Sequence, residues 1–205
     1  MSEEPTGAEH AAAIAGEDRL RAQLYRLLAS LFVSPPNQDL LDRIAAVEGD
    51  ATPLGEALTA MARAAAGSNP ATIDDEYHDL FIGVGRGELM PYGCYYLTGF
   101  IYEKPLARLR VDMDRLGIAR AEGVTAPEDH IAALCEMMAG LIEGDFGEPA
   151  DLATQRAFFD AHIGPWAGQF FADMEAAQSA RFFMPVGKVG QIFMEIESTA
   201  FEMAA

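Results

Sequence analysis

The segment GVTAPEDHIAALCEMMAGLIEGD, residues 123–145, places apolar side chains at helical spacing behind a charged head. This spacing predicts an α-helix over 127–143 with one face in a protein core. Glu128, Asp129 and His130 stand side by side at the start of the helix. Such a trio could be an acid–base pair, half of a metal site, a surface for a basic ligand or a helix cap.

The same spacing recurs along most of the chain and predicts further helices. They cover residues 17–34, 38–47, 52–67, 73–83, 103–117, 152–163, 166–178 and about 186–200. Only CYYLTGFIY, residues 94–102, has the residue types of a β-strand, and a single strand has nothing to pair with. The sequence therefore predicts an all-α, single-domain bundle of about eight to ten helices.

Polar residues mark several of the predicted helix starts. Asn37 and Thr52 each precede a helical segment, and their side chains can accept a hydrogen bond from its first turn. Thr72 and Asp75 have the spacing of a capping box. In the segment FFDAHIGPW, residues 158–166, we expect Trp166 to lie in the core with its indole N–H bonded to a partner.

Thr125 and Glu128 also have the spacing of a capping box, so we assign both to the start of the 127–143 helix. Asp129 in the first turn suits the helix dipole. His130 shares a helical stripe with Leu134 and is expected to be half-buried. This division leaves Asp129 and His130 available for recognition.

Residues 83–102 form a glycine- and aromatic-rich stretch that we interpret as a hinge loop. The GVGRG motif at 83–87 lacks the preceding strand and the lysine of a phosphate-binding loop, so it indicates a tight backbone path. The stretch that follows contains Pro91, Tyr92 and Tyr96. Aromatic rings beside glycines suit the capture of an extended peptide, and they suit the filling of a core equally well.

The composition excludes several classes of protein. Half of the 205 residues are hydrophobic, while the net charge is −18 and the pI about 4.4, which favours cationic partners over nucleic acid. Residues 1–16 form an acidic tail that we expect to be flexible, ahead of a helical domain at 17–205. The tail lacks the apolar core of a secretory signal, and no apolar run is long enough for stable membrane insertion. We expect a cytoplasmic protein.

The residue spacing also argues against catalysis and metal binding. The four histidines include no i,i+4 pair and none stands near a cysteine, so no metal site is predicted. Asp129 and His130 are adjacent and would point about 100° apart on a helix, which does not suit an acid–base pair. We expect no enzymatic activity and no cofactor. A helical enzyme using these two residues stays the alternative.

Acidic residues accumulate around the opening segment. No lysine or arginine occurs between Arg120 and Arg156, and the local negative potential favours a basic ligand. The acidic residues are Glu122, Glu128, Asp129, Glu136, Glu143, Asp145, Glu148 and Asp151.

Four segments resemble the TorD/DmsD family of redox-enzyme maturation chaperones. They are YHDLFIGVG (77–85), MPYGCYYLTG (90–99), APEDHIAALCEMM (126–138) and FFDAHIGPW (158–166). YRLLASLFVSPP, residues 25–36, is similar to the first helix of the family, so the resemblance covers nearly the whole chain. Two departures are Gly83-Val84-Gly85, where the family often has Gly-Pro-Gly, and MPYGC at 90–94, where it often has Pro-Pro-Tyr-Gly-Ser.

The resemblance implies an all-helical cytoplasmic chaperone without turnover. Such a protein binds the twin-arginine signal peptide and the body of a molybdopterin enzyme subunit, and delays export until the cofactor is inserted. The resemblance favours formate dehydrogenase as the client, and it allows a monomer or a helix-swapped dimer. A nucleotide-binding accessory protein is a further alternative, since weak guanine-nucleotide binding has been proposed for the family.

The resemblance also implies a peptide site. In the family this site involves the Pro-x-Asp-His turn and the preceding aromatic–glycine segment. Carried over residue by residue, the implied peptide-binding residues are Tyr77, Leu80, Phe81, Gly83, Pro91, Tyr92, Pro127, Asp129 and His130. An acidic helix start beside an aromatic loop suits a peptide that is basic at one end and apolar in its middle.

Overall fold

The structure, a computed structural model, describes residues 16–120, 123 and 125–204. Across these residues the chain forms ten α-helices and two π-helices in a single domain, without a β-strand. The prediction of an all-α bundle is confirmed. The predicted acidic tail lies outside the described residues, except for Gly16 at the start of the first helix.

Most connections between the helices are short, and the two longest are 83–92 and 117–130. In chain order they are α1 (Gly16–Val33), α2 (Gln38–Ala45), α3 (Pro53–Ala66), α4 (Pro70–Tyr77), π1 (His78–Ile82), α5 (Gly93–Thr98), α6 (Lys104–Leu116), α7 (Ile131–Glu143), α8 (Leu152–Phe158), π2 (Phe159–Ile163), α9 (Ala167–Ala176) and α10 (Phe183–Met203). None of the described helices is long and apolar enough to cross a membrane.

Helix α7, which contains the apolar part of the opening segment, packs against α1. Ten of its thirteen residues are buried, so its surroundings are apolar on nearly every side. Helix α10 packs against α9 and α3 and extends the core. Helix α7 is buried on nearly all of its surface, which explains why its sequence is the most apolar of the predicted helices.

A buried carboxylate fixes α1 against α10. Glu197 is 1% exposed and accepts two hydrogen bonds from the Arg21 guanidinium, at 2.7 and 2.8 Å. The Tyr25 hydroxyl donates to the same carboxylate at 2.9 Å. A buried charge requires this degree of pairing, so the network specifies how the two helices meet.

The predicted caps at Asn37 and Thr52 are confirmed. The Asn37 side chain accepts from the Leu40 amide at 2.9 Å, and the Thr52 hydroxyl accepts from the Gly55 amide at 3.1 Å. The capping box predicted at Thr72 and Asp75 is wrong. Helix α4 begins earlier, and Asn69 is its cap, with Thr72 as the third helical residue that completes the box.

The stretch 83–102 is not a continuous loop. Residues 93–98, which include the predicted strand-like CYYLT, form helix α5. Gly83 ends π1 with φ +59°, and a Cβ there would lie 2.1 Å from the Arg86 carbonyl oxygen. Only glycine fits this tight return of the backbone, as the GVGRG motif predicts.

Two α-helices continue directly into a π-helix. Helix α4 continues into π1 and α8 continues into π2, and each π-helix closes on a glycine amide. The Gly83 amide donates to the His78 carbonyl at 2.7 Å, and the Gly164 amide donates to the Phe159 carbonyl at 2.8 Å. Both π-helices lie in segments that carry the family resemblance, in keeping with the tendency of such turns to occur at functional sites.

Trp166 lies in the core, as predicted. It is 2% exposed, and its indole N–H donates to the His162 carbonyl at 2.7 Å. Its ring packs on Tyr96, with centroids 5.5 Å apart.

Replacement of Trp166 by alanine should lower the free energy of unfolding by about 3 kcal/mol or more, because the cavity would remove ring packing and leave the His162 carbonyl without its donor. Denaturant unfolding measures this effect. Leu20→Ala, at a side chain that is 66% exposed, is the control and should change stability by less than about 0.5 kcal/mol. A fully stable Trp166→Ala variant would contradict the assignment.

Candidate functional site

Two short stretches of backbone, 91–94 and 129–131, meet in an isolated antiparallel β-bridge at the start of α7. The Gly93 amide donates to the Asp129 carbonyl at 2.9 Å, and the Ile131 amide donates to the Pro91 carbonyl at 2.9 Å. We call these two stretches the clamp. It holds the aromatic–glycine segment and the Pro-x-Asp-His turn side by side.

The side chain of Asp129 reinforces the clamp. It is 4% exposed, and its Oδ2 accepts from the Cys94 amide at 2.6 Å. Cys94 lies in the first turn of α5, where amides lack helical partners and the dipole favours a negative charge. The other carboxylate oxygen of Asp129, Oδ1, is buried and has no hydrogen-bond partner among the described residues. The prediction that Asp129 lies in the first turn of the 127–143 helix is wrong.

His130 is the N-cap of α7, which begins at Ile131 and not at residue 127. Its Nδ1 accepts from the Ala132 amide at 3.1 Å, and its half-buried ring meets Tyr92 edge to face, with centroids 5.0 Å apart. Burial lowers the pKa of His130 to about 4. The ring is therefore neutral at pH 7, and Nδ1 can act as the acceptor that the helix start requires. The expectation of a half-buried histidine is confirmed.

Glu128 has a different role from the predicted one. It is 8% exposed, accepts from Arg110 at 2.9 Å and lies 3.5 Å from the Arg120 guanidinium. Burial opposes ionisation, but the two guanidiniums lower the pKa of Glu128. Thr125 is exposed and lies outside α7. The predicted capping box of Thr125 and Glu128 is wrong, because ion pairs with α6 and the segment after it engage the carboxylate.

A second group of predicted residues lies on α4 and π1. Leu80 is fully buried, and the buried Tyr77 donates its hydroxyl proton to the Phe32 carbonyl at 2.8 Å. Phe81 is half-buried and packs edge to face on Tyr77, with centroids 4.9 Å apart. Gly83 ends π1, so this group supplies an apolar support with one partly accessible ring.

The two groups are neighbours. Burial raises the pKa of Tyr77 to about 12, and the nearby Tyr92 adds to this shift. Pro91 and Pro127 are both buried and shape the backbone around the clamp. The predicted residues therefore lie in one region, in which Phe81, Tyr92 and His130 are the partly accessible rings.

Four carboxylates of the acidic surface predicted over 122–151 form ion pairs with arginines of the protein. Arg26 of α1 donates to Glu143 at 2.8 Å and also bonds to Glu136 and Asp145. With Glu128 held by Arg110, these carboxylates already have cationic partners. Glu122 lies outside the described residues. The segment is therefore a weaker attractant for a basic ligand than its composition predicts.

Tyr102 and Arg110 also belong to this region, although no sequence pattern predicts them. Tyr102 is 63% exposed and has φ 63°, a left-handed conformation that residues other than glycine rarely adopt. After burial, Tyr102 is the next contributor to the raised pKa of Tyr92, so it lies beside the clamp. A strained, exposed tyrosine next to a recognition surface is a functional candidate. Nothing in the local sequence distinguishes it, since the neighbourhood arises from the turn between α5 and α6.

Two alternatives lose support from this geometry. Asp129 and His130 do not hydrogen-bond to each other, because each is engaged with a backbone amide. An acid–base pair of these two residues therefore lacks its central contact. Among the described residues, no group of three or more acidic, histidine or cysteine side chains could hold a metal ion.

A match to a known protein family shows to which family the chain belongs. The model of the nitrate reductase delta subunit family matches residues 47–172, a span that includes the clamp and both π-helices. The chain belongs to this family. The family includes the TorD-like proteins, so the resemblance stated from the sequence is confirmed, and it is a family of redox-enzyme maturation chaperones and not of catalysts.

A solved structure from Archaeoglobus fulgidus, provisionally named a redox enzyme maturation protein, has a similar fold. The TM-score is 0.57 at 21% sequence identity, over 85% of this chain and 93% of the other. No functionally curated protein matches the chain. Membership of the family therefore rests on the match to the delta subunit family, and the similar solved structure supports the fold alone.

His130 makes the stability of this delta-family protein depend on pH. Its folded pKa of about 4 lies below the ordinary value of 6.5, so the unfolded chain binds a proton first as the pH falls. Its stabilising contribution is complete above pH 6.5 and is lost as the pH falls towards 4. His130→Asn keeps a good N-cap but does not titrate. Denaturant unfolding should therefore show wild type losing stability relative to His130→Asn over this pH range.

Thr125→Ala is the matched control for this experiment. Because Thr125 lies outside α7, the variant should follow the wild-type pH profile and change stability by less than about 0.5 kcal/mol. Parallel profiles for wild type and His130→Asn would contradict the buried, neutral histidine.

Proposed function

We propose that this delta-family protein is a maturation chaperone that binds the twin-arginine signal peptide and the apo form of a molybdopterin oxidoreductase subunit. The observation that supports it best is the clamp, which joins the Pro-x-Asp-His turn to the aromatic–glycine segment through Asp129. Holding an export signal while a cofactor is inserted requires recognition without turnover. A neutral histidine, partly accessible aromatic rings and the absence of an acid–base contact suit that task.

The apolar part of the peptide would lie against Phe81, Tyr92 and His130. These side chains are anchored on their inner sides by the buried Tyr77 and by the clamp hydrogen bonds. Rings that are already fixed lose little entropy when a ligand binds, whereas the peptide loses its own conformational freedom. Affinity should therefore be moderate, as suits a chaperone that must later release its client.

The arginines of the peptide would bind a different set of carboxylates from those that the composition suggests. Asp74, Asp75 and Asp79 lie on α4 and π1, next to Tyr77 and Leu80, and all three are exposed. None forms an ion pair with lysine or arginine among the described residues, and Asp79 lies 3.8 Å from the His78 ring. Arginine prefers such accessible carboxylates, with which it can form bidentate pairs.

Titration with a labelled twin-arginine peptide tests this proposal. The triple variant Asp74→Asn, Asp75→Asn, Asp79→Asn should bind about tenfold more weakly than wild type, since each lost pair contributes modestly at an exposed site. Binding to wild type should also weaken with added salt, because exposed charges are screened.

The matched control removes three other exposed acidic charges, with Asp114→Asn, Glu195→Gln and Glu202→Gln. Its affinity should stay close to that of wild type. Equal losses in both triple variants would show that only net charge matters. No binding by wild type, or equal binding of a peptide whose two arginines are replaced by glutamine, would contradict the proposed function.

We further propose a cytoplasmic location, where export signals are first exposed, and formate dehydrogenase as the first client to test. A monomer or a helix-swapped dimer stays a prediction for the oligomeric state.

A further inference from the structure

A cleft of about 800 Å³ lies between α6 and the wall formed by π2 and Pro165. Much of its lining is apolar and comes from both sides; these residues are Leu97, Pro105, Ala107, Val111, Ala161 and Pro165. Leu97 and Val111 are 42% and 59% exposed. The volume lies in the range of ligand-binding clefts, and the walls are formed by helices whose positions the core fixes.

One wall of the cleft carries cations without partners. Lys104 and Arg108 are four residues apart on α6 and line the cleft. Within the described residues, the only lysine or arginine side chains without an ion pair, hydrogen bond or ring contact are these two, Arg43 and Arg63. In a chain with net charge −18, two free cations on one helical face form a local exception.

This placement has an electrostatic cost. Like charges four residues apart on a helix repel each other, and Lys104 in the first turn of α6 also opposes the helix dipole. The acidic residues of the cleft do not relieve it, because they have partners of their own. Asp112 bonds to His162 at 2.9 Å and to Arg115 at 3.0 Å, and Asp160 bonds to Arg156 at 3.3 Å.

The cleft adjoins the clamp. A small cavity lined by Gly93 and Asp129 also contacts four residues of the cleft, namely Leu97, Pro105, Ala161 and His162. Arg110, on the same helix as Lys104, bonds to Glu128 next to the clamp. Helix α6 therefore connects the cleft to the candidate peptide site.

We propose that this cleft is a second docking surface, which binds a segment of the client's catalytic subunit that carries carboxylates among apolar side chains. The inference rests on the proposed function, since it assigns a place to the body of the same client. Charge complementarity selects the occupant. Lys104 and Arg108 would pair with two carboxylates one helical turn apart, and the apolar walls would cover the side chains between them. A basic signal peptide would be repelled here.

A charge-matched peptide pair tests the cleft. The probe is a labelled, helix-forming peptide of leucine and alanine with two glutamates four residues apart, and its partner has glutamine at both positions. Fluorescence anisotropy with the full chain should show about tenfold tighter binding of the glutamate peptide to wild type. This preference should disappear in Lys104→Gln/Arg108→Gln. It should persist in Arg43→Gln/Arg63→Gln, which removes the other two free cations.

A further variant, Val111→Glu, tests the apolar wall. It places a carboxylate in the apolar lining of the cleft and should also abolish binding of the glutamate peptide. Equal binding of the two peptides by wild type would overturn the proposal, as would equal loss in the two double variants. If sedimentation shows a dimer that Lys104→Gln/Arg108→Gln dissociates, the cleft binds a second copy of this chain, and the proposal is overturned.

The twin-arginine peptide, titrated in parallel, separates this inference from the proposed function. Its affinity for Lys104→Gln/Arg108→Gln should equal or exceed that for wild type. If it fails to bind wild type, the proposed function fails, while the glutamate peptide still decides the role of the cleft.

Discussion

The candidate site depends on two hydrogen bonds that the buried Asp129 accepts. Its carboxylate accepts from the Cys94 amide at 2.6 Å, while the backbone of the same residue accepts from Gly93 at 2.9 Å. These two hydrogen bonds tie the start of α5 to the start of α7, across 35 residues of chain. Hydrogen bonds shielded from water are strong, so the contact rigidifies a region that otherwise consists of turns. The Tyr92 and His130 rings take their positions from it.

The fold could be predicted because its signals are local. Apolar spacing located the helices, and Asn37 and Thr52 marked two starts correctly. The prediction failed where a longer-range contact outweighs the local pattern. Thr125 and Glu128 have the spacing of a cap, but Glu128 is bonded to Arg110, and α7 begins at Ile131. Helix α5 was missed because its aromatic residues are also typical of strands, and its first turn is stabilised by Asp129 from elsewhere in the chain.

The site could be predicted only in part for the same reason. The resemblance selected segments that the structure places side by side, but sequence could not show which side chains are accessible. Tyr77, Leu80 and Asp129 are buried, whereas Tyr102 and the three aspartates of α4 and π1 are exposed. Charge was the least predictable property. Arg26 lies more than 100 residues from the carboxylates that it pairs with, so the acidic run appears unpaired in the sequence. Three arginines pair with part of that run, while other charges, of both signs, have no partner among the described residues.

Hydrogen exchange at single residues tests the central claim, that the clamp is the peptide-binding surface. The amides of 92–98 and 129–134 should exchange more slowly when the twin-arginine peptide is added, together with those of π1. The amides of α2 and α3, which lie outside the proposed site, should exchange as before. Slowing confined to α2 and α3, with unchanged exchange at Cys94 and Ile131, would contradict the account.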